Sequence, residues 1–305
     1  MHTYNYPPRY VRLISIGLLA WSFLFAGYTY FLPVSASAVT VTKPKGLTLS
    51  PLRSELEISP GTSLDGNLVV TNSTDKAMAV SLNAEEFGVI NQQYDYAFTQ
   101  ESAIAKWVTF TPTEVTLAAG ESQTISFTVG VPLTAEPGGR YISLFASTDS
   151  ETQSGGVSSR QRIASLLYIT VMGDVSRAGH LVSLSSPWAV GGDSRWSVAL
   201  QNTGTTHFRS RYNVNVQNVL GHDVVASMTG DALILPGTVR AVSDRLPLPQ
   251  LPGLYKAIYT IGLGDTPAIV ETRFVLYLPP VAIVVSIVAI ILLISGLLRR
   301  RPNKR

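Results

Sequence analysis

The stretch Thr124-Ile125-Ser126-Phe127-Thr128-Val129-Gly130-Val131 alternates apolar and small or polar residues without a break. A period of two puts Ile125, Phe127, Val129 and Val131 on one face of a β-strand and the small or polar residues on the other. One buried face and one wet face mark a strand of an antiparallel sheet packed on one side. The pattern recurs outward from this strand. Met78, Val80, Leu82 and Ala84 follow it, as do Trp196, Val198 and Leu200, and then Tyr212, Val214 and Val216. Turn pairs separate the strands, among them Pro60-Gly61, Ala119-Gly120, Gly191-Gly192, Pro236-Gly237 and Pro252-Gly253. Helical periodicity is scarce between residues 39 and 277. Short strands with turns at this spacing predict an all-β fold of two tandem immunoglobulin-like β-sandwiches.

An internal repeat supports two copies of one unit. Val70-Thr71-Asn72, Leu117-Ala118-Ala119-Gly120 and Gly139-Arg140-Tyr141 are answered by Leu200-Gln201-Asn202, Leu235-Pro236-Gly237 and Gly253-Leu254-Tyr255. The offsets, taken at Asn72/Asn202, Gly120/Gly237 and Tyr141/Tyr255, fall from 130 to 117 to 114 residues. The second copy is therefore the shorter, and the first carries extra sequence around residues 85–106. The expected domains are residues 39–177 and 178–277.

Both ends of the chain carry topogenic signals. Arg9 and Arg12 precede an uncharged apolar run from Leu13 to Leu32, followed by Ala36-Ser37-Ala38. That is a secretory signal peptide over residues 1–38, either cut after Ala38 or kept as an anchor. No charge lies between Arg273 and Arg299, and 278–298 is almost wholly Val, Ile, Leu and Ala. Twenty-one residues at about 1.5 Å each reach about 32 Å, near the roughly 30 Å of a hydrocarbon core. Basic residues 299–305 follow and belong on the cytoplasmic side. The expectation is a single-pass cell-membrane protein, its ectodomain extracellular and its C-terminus cytoplasmic, with the membrane as a partner through the C-terminal helix.

Composition narrows the function classes. The chain has 305 residues, 46% hydrophobic, and a formal net charge of +3. Seven of the 23 Lys and Arg lie in the two terminal signals, leaving 16 against all 20 Asp and Glu, so the central region carries −4. Nucleic acid loses its motive as a partner. With no cysteine, disulfides, thiolate metal sites and cysteine nucleophiles are excluded. His180, His207 and His222 have no metal-ligand spacing between them, and His222 in Leu220-Gly221-His222-Asp223 reads as a hairpin tip. Ser73-Thr74-Asp75-Lys76 has the spacing of penicillin-recognising serine enzymes but joins two strands, so it reads as a turn. Asn72-Ser73-Thr74 is a glycosylation sequon. No catalytic residue, metal ligand or cofactor is expected, and the chain reads as a non-enzyme. The candidate contact residues are Phe87, Tyr94, Tyr96, Phe98 and Trp107, aromatics on or beside the extra segment. They either meet a partner or cap the open end of the sandwich.

Residues 47–173 resemble the first ectodomain of the WxL-interacting proteins, a family of Gram-positive surface proteins. The resemblance rests on the Leu47–Glu57 strand, Pro60-Gly61, Val69-Val70-Thr71-Asn72, Asn91 with Tyr94 or Tyr96, Leu117-Ala118-Ala119-Gly120-Glu121-Ser122 and Gly138-Gly139. It implies a first domain that contacts peptidoglycan or another wall polymer and a second that binds WxL-type surface proteins or host matrix. The role expected is adhesion or scaffolding at the cell wall. The alternative is an accessory or chaperone-like subunit of a secretion or surface-assembly complex.

Overall fold

The computed structural model describes residues 46–148, 151–152, 158–192, 194–221 and 223–298. The expectations placed on residues 1–38, on His222 and on the tail 299–305 lie outside these residues.

Among the described residues twelve strands precede Gly173. They are β1 (Leu47–Ser50), β2 (Arg53–Ile58), β3 (Ser63–Asn72), β4 (Met78–Val89), β5 (Tyr96–Thr99), β6 (Val108–Thr111), β7 (Glu114–Leu117), β8 (Ser122–Gly130), β9 (Gly138–Thr148), β10 (Glu151–Thr152), β11 (Ser158–Ser159) and β12 (Arg162–Val171). One sheet runs β1-β3-β8-β6, and the facing sheet runs β2-β12-β9-β4-β5, with β7 also on β4. The alternation of β8 does what its period requires. Ile125, Phe127 and Val129 are buried, and they pack with Leu68, Val70, Ile142, Leu144, Leu167 and Ile169 into one core. Every pairing in these two sheets is antiparallel except one: β2 lies parallel to β12, with Arg53 opposite Leu166 through Ile58 opposite Val171.

Eight strands follow: β13 (Gly179–Ser185), β14 (Ala189–Val190), β15 (Arg195–Asn202), β16 (Phe208–Asn218), β17 (Val224–Ile234), β18 (Val239–Arg245), β19 (Gly253–Leu263) and β20 (Thr266–Tyr277). They form sheets β13-β15-β18 and β14-β20-β19-β16-β17 around Trp196, Leu200, Tyr259 and Ile261. Immunoglobulin-like sandwiches therefore make up the described chain on both sides of residues 173–178.

The repeat is physical at its asparagines. Asn72 and Asn202 are fully buried. Asn72 Nδ2 donates to the carbonyls of Lys76, Leu117 and Ala118 at 2.7, 3.1 and 2.9 Å, while its Oδ1 accepts from Thr74 N. Asn202 Nδ2 likewise donates to Thr206 O and Ile234 O, and its Oδ1 accepts from Gly204 N. Each closes the turn after its strand and ties it to the opposite sheet. Tyr141 and Tyr255 are not equivalent. Tyr255 points into its own core, whereas Tyr141 points away from its core towards His207.

The C-terminal apolar run forms α1 (Pro280–Leu298), nineteen residues long. Leu278 is withdrawn from it, because its N–H donates to Val190 O at 2.8 Å beside β20. The helix is thereby two residues shorter than the apolar run 278–298 and rises about 28 Å. Among the described residues no helix is long and apolar enough to cross a membrane. This corrects the expected single-pass anchor, and with it the transmembrane helix in the fold class, the membrane as a partner and the inside-outside assignment built on them.

Candidate functional site: the seam and cleft between the sandwiches

Three of the sheet strands in the first sandwich turn aromatic side chains away from their own core. Phe87 of β4, Tyr141 of β9 and Tyr168 of β12 meet with ring centroids 5.4–5.8 Å apart. From the second sandwich His207 enters this group, 5.6 Å from the Tyr141 ring and 5.4 Å from the Tyr168 ring. Beside it the hydroxyls of Thr170 and Thr206 share a hydrogen bond of 3.0 Å, both residues being buried. Burial holds the His207 imidazolium down to a pKa of about 4, with Glu55 and Glu57 acting against that and Arg177 and Arg209 with it. Burial also raises the Tyr141 and Tyr168 phenols well above their ordinary value. None of these three groups is charged near neutrality.

The connecting residues are pressed into the second sandwich. Asp265 N donates to Arg177 O at 2.7 Å, and Thr203 N to Ala178 O at 2.8 Å. Gly264 has φ +73°, and a Cβ there would stand 2.2 Å from Arg177 O. Only glycine fits that approach.

Beside the seam opens a cleft of about 450 Å³ lined by Glu55, Glu57, Arg177, His207, Arg209 and Asp265 among others. Alternation along β2 places Glu55 and Glu57 outward while Leu56 packs on the first core. Arg177 pairs with Glu57 at 2.8 Å, and Arg209 pairs with Glu55 at 2.5 Å and with Asp231. Acid and base thus alternate along the walls and stay partly open to water. Among the described residues no group of three or more His, Asp or Glu is placed to hold a metal ion.

Four of the five aromatic candidates come together. Phe87 and Tyr94 are buried within the cluster that continues into the second sandwich. Tyr94 sits at φ +68° on the β4–β5 turn. Its hydroxyl accepts from Leu235 N at 2.8 Å and bonds Thr238 Oγ1 at 2.6 Å. The Arg240 guanidinium lies 4.4 Å from its ring centre, and Ala241 N donates to Gln92 O at 2.8 Å. Tyr96 packs edge-on against Phe87 at 5.4 Å, and Phe98 lies 6.4 Å from Tyr96. These two rings are 39% and 40% exposed, and they form the open part of the group. Trp107 stands apart, in a single 3₁₀ turn (Ala105–Trp107) against the first core. The sequon asparagine Asn72 is buried with its side-chain nitrogen engaged, so it offers no acceptor for a glycan. Glu55, Glu57, Arg177 and Arg209 escaped sequence reading. Their outward positions were legible, but their partners lie 120 and 154 residues away.

No family model matches the chain, and no curated protein matches it either. Solved structures with some similarity include a class 5 fimbriae chaperone, CfaA, at 11% identity and a TM-score of 0.40, covering 75% of this chain and 99% of that one. The Salmonella enterica SafA pilin in complex with the SafB chaperone gives 11%, a TM-score of 0.38, and coverage of 77% and 98%. The CsuC-CsuE pre-assembly complex from Acinetobacter baumannii gives 10%, 0.37, and coverage of 76% and 99%. At these scores the likenesses carry no inference about function.

Proposed function

We propose that the chain is a non-enzymatic binding module that holds an extended segment of an exported surface protein during assembly, in a chaperone-like accessory role. The observation that carries this reading is the cleft. Its walls are built from a strand edge on one sandwich and a strand start on the other, and the seam holds the two walls in fixed relation. Paired charges of both signs, part-exposed, can exchange their partners for the backbone and side chains of a bound segment at small cost. The test places a photo-crosslinking residue at Glu57 in the cleft or at Glu136 outside it, in cells producing the full chain. Crosslinks to exported proteins at position 57 alone, lost on Arg209→Glu, support the reading. Equal crosslinking at both positions overturns it.

A second reading is favoured by Tyr96 and Phe98. Two neighbouring half-exposed rings on one edge strand suit stacking against a sugar face. On this reading the module adheres to peptidoglycan or another wall polymer, in the manner of WxL-interacting proteins. Sedimentation with insoluble peptidoglycan, reduced about tenfold by the Tyr96→Ala/Phe98→Ala double change, is the expected outcome, a loss of about 1.4 kcal/mol. Unchanged sedimentation counts against it.

A further inference from the structure

Among the described residues the edge of β20 is open over most of its length. β14 pairs with it in parallel over only Leu276 and Tyr277, whereas β2 covers six residues of β12 in the first sandwich. The N–H groups of Leu276 and Leu278 donate outward to Trp188 and Val190, both at 2.8 Å. Strand geometry alternates these directions, so the N–H and C=O of Val270, Thr272 and Phe274 also point out from the sheet. The odd-numbered groups face β19 instead. The Thr272 carbonyl accepts from the Arg273 side chain at 3.2 Å. Val270 and Phe274 are 61% and 58% exposed, an apolar row on a bare edge.

We propose that this edge pairs antiparallel with the β20 edge of a second copy of the chain, about a two-fold axis at Thr272. The outward groups allow only registers that set even residues against even ones, and charge chooses among them. Centred on Glu271 or on Arg273, the pairing sets like charges opposite each other. Centred on Thr272, it sets Glu271 opposite the partner's Arg273, Val270 opposite the partner's Phe274, and Thr272 opposite itself. Opposite charges and aromatic–aliphatic pairs are the favourable cross-strand neighbours, and like charges the unfavourable ones. Glu271 and Arg273 already lie 3.0 Å apart within one chain. In the dimer each gains a second partner. Against an unrelated strand the same two charges discourage pairing, so they select the self-match. Five residues per edge make a small contact, and the dimer is reversible.

The native chain has no cysteine, so Thr272→Cys can form an intermolecular disulfide only with itself. Opposed Cα atoms in such a pair lie about 5.5 Å apart, within disulfide reach. Purified full-length Thr272→Cys is expected to form a covalent dimer under mild oxidation at least tenfold faster than Thr229→Cys on β17, the opposite edge of the same sheet. In sedimentation equilibrium the unmodified chain should show mass rising with concentration. Glu271→Arg should weaken association about tenfold, and Glu271→Arg/Arg273→Glu should restore it. Thr272→Pro, which removes an outward N–H and leaves the β19 ladder intact, should abolish it with the melting temperature held. A chain monomeric at every concentration overturns the proposal. So do equal crosslinking at positions 272 and 229, or a dimer indifferent to Glu271→Arg.

Discussion

Single side chains carry much of the order in this molecule. Asn72 and Asn202 are fully buried and each donates to two or three backbone carbonyls, including one on the facing sheet. Replacing either by alanine deletes these bonds at a fully buried position and leaves a void there, a loss of about 1–3 kcal/mol. Thermal unfolding should show a lowered midpoint for Asn72→Ala and for Asn202→Ala, and near-additive losses in the double variant, since the sites are far apart. His207 gives a pH dependence with a definite sign. Its folded pKa of about 4 lies below the unfolded value of about 6.5. Below pH 6.5 the unfolded chain takes up a proton that the folded chain refuses. The His207 contribution is therefore complete above pH 6.5, falls as pH drops, and levels off below pH 4. At about 1.4 kcal/mol per unit the total is up to about 3 kcal/mol. Urea denaturation of the full chain between pH 4 and 7 should show this slope, and His207→Phe should flatten it.

At the scale of elements, the β4–β5 hairpin is a clamp rather than a free loop. Tyr94 offers its hydroxyl to a buried backbone N–H across the seam, at 2.8 Å from Leu235 N. Tyr94→Phe keeps the ring and removes the acceptor. The expected loss is about 1–3 kcal/mol in equilibrium unfolding. Tyr96→Phe, with its ring part-exposed, should cost far less. The connecting segment answers to backbone approach instead. Gly264→Ala forces a Cβ against Arg177 O at 2.2 Å in a left-handed conformation. It should raise hydrogen exchange at Asp265 N and Thr203 N while leaving the amides of β8 protected.

For the whole molecule, the buried group of Phe87, Tyr94, Tyr168 and the second sandwich's own core is continuous. Two sandwiches joined by a buried seam should melt as one unit, giving a single calorimetric transition. Tyr168→Ala/His207→Ala, which empties the seam and leaves both inner cores whole, should resolve it into two.

The strands, the two-sandwich plan and the paired asparagine turns were legible in the sequence. Burial of one strand face repeats every second residue, and turn residues announce themselves locally. The repeat misled at Tyr141 and Tyr255. Strand parity depends on register, and a one-residue slip sends a side chain to the opposite face. The extra aromatics were legible as a group, yet nothing local told that Phe87 and Tyr94 would be spent on the seam while Tyr96 and Phe98 stayed open. The C-terminal run was read by its hydropathy alone, and the structure takes Leu278 for a strand-edge bond and forms a nineteen-residue helix. What each strand buries follows from the amino-acid order alone, because burial is a short-range periodicity. Which outward faces meet follows from packing between distant segments: Arg209 beside Glu55, His207 between two tyrosines, and β20 left, among the described residues, with an open edge. Those contacts join residues far apart in the chain, where no local pattern links one partner to the other.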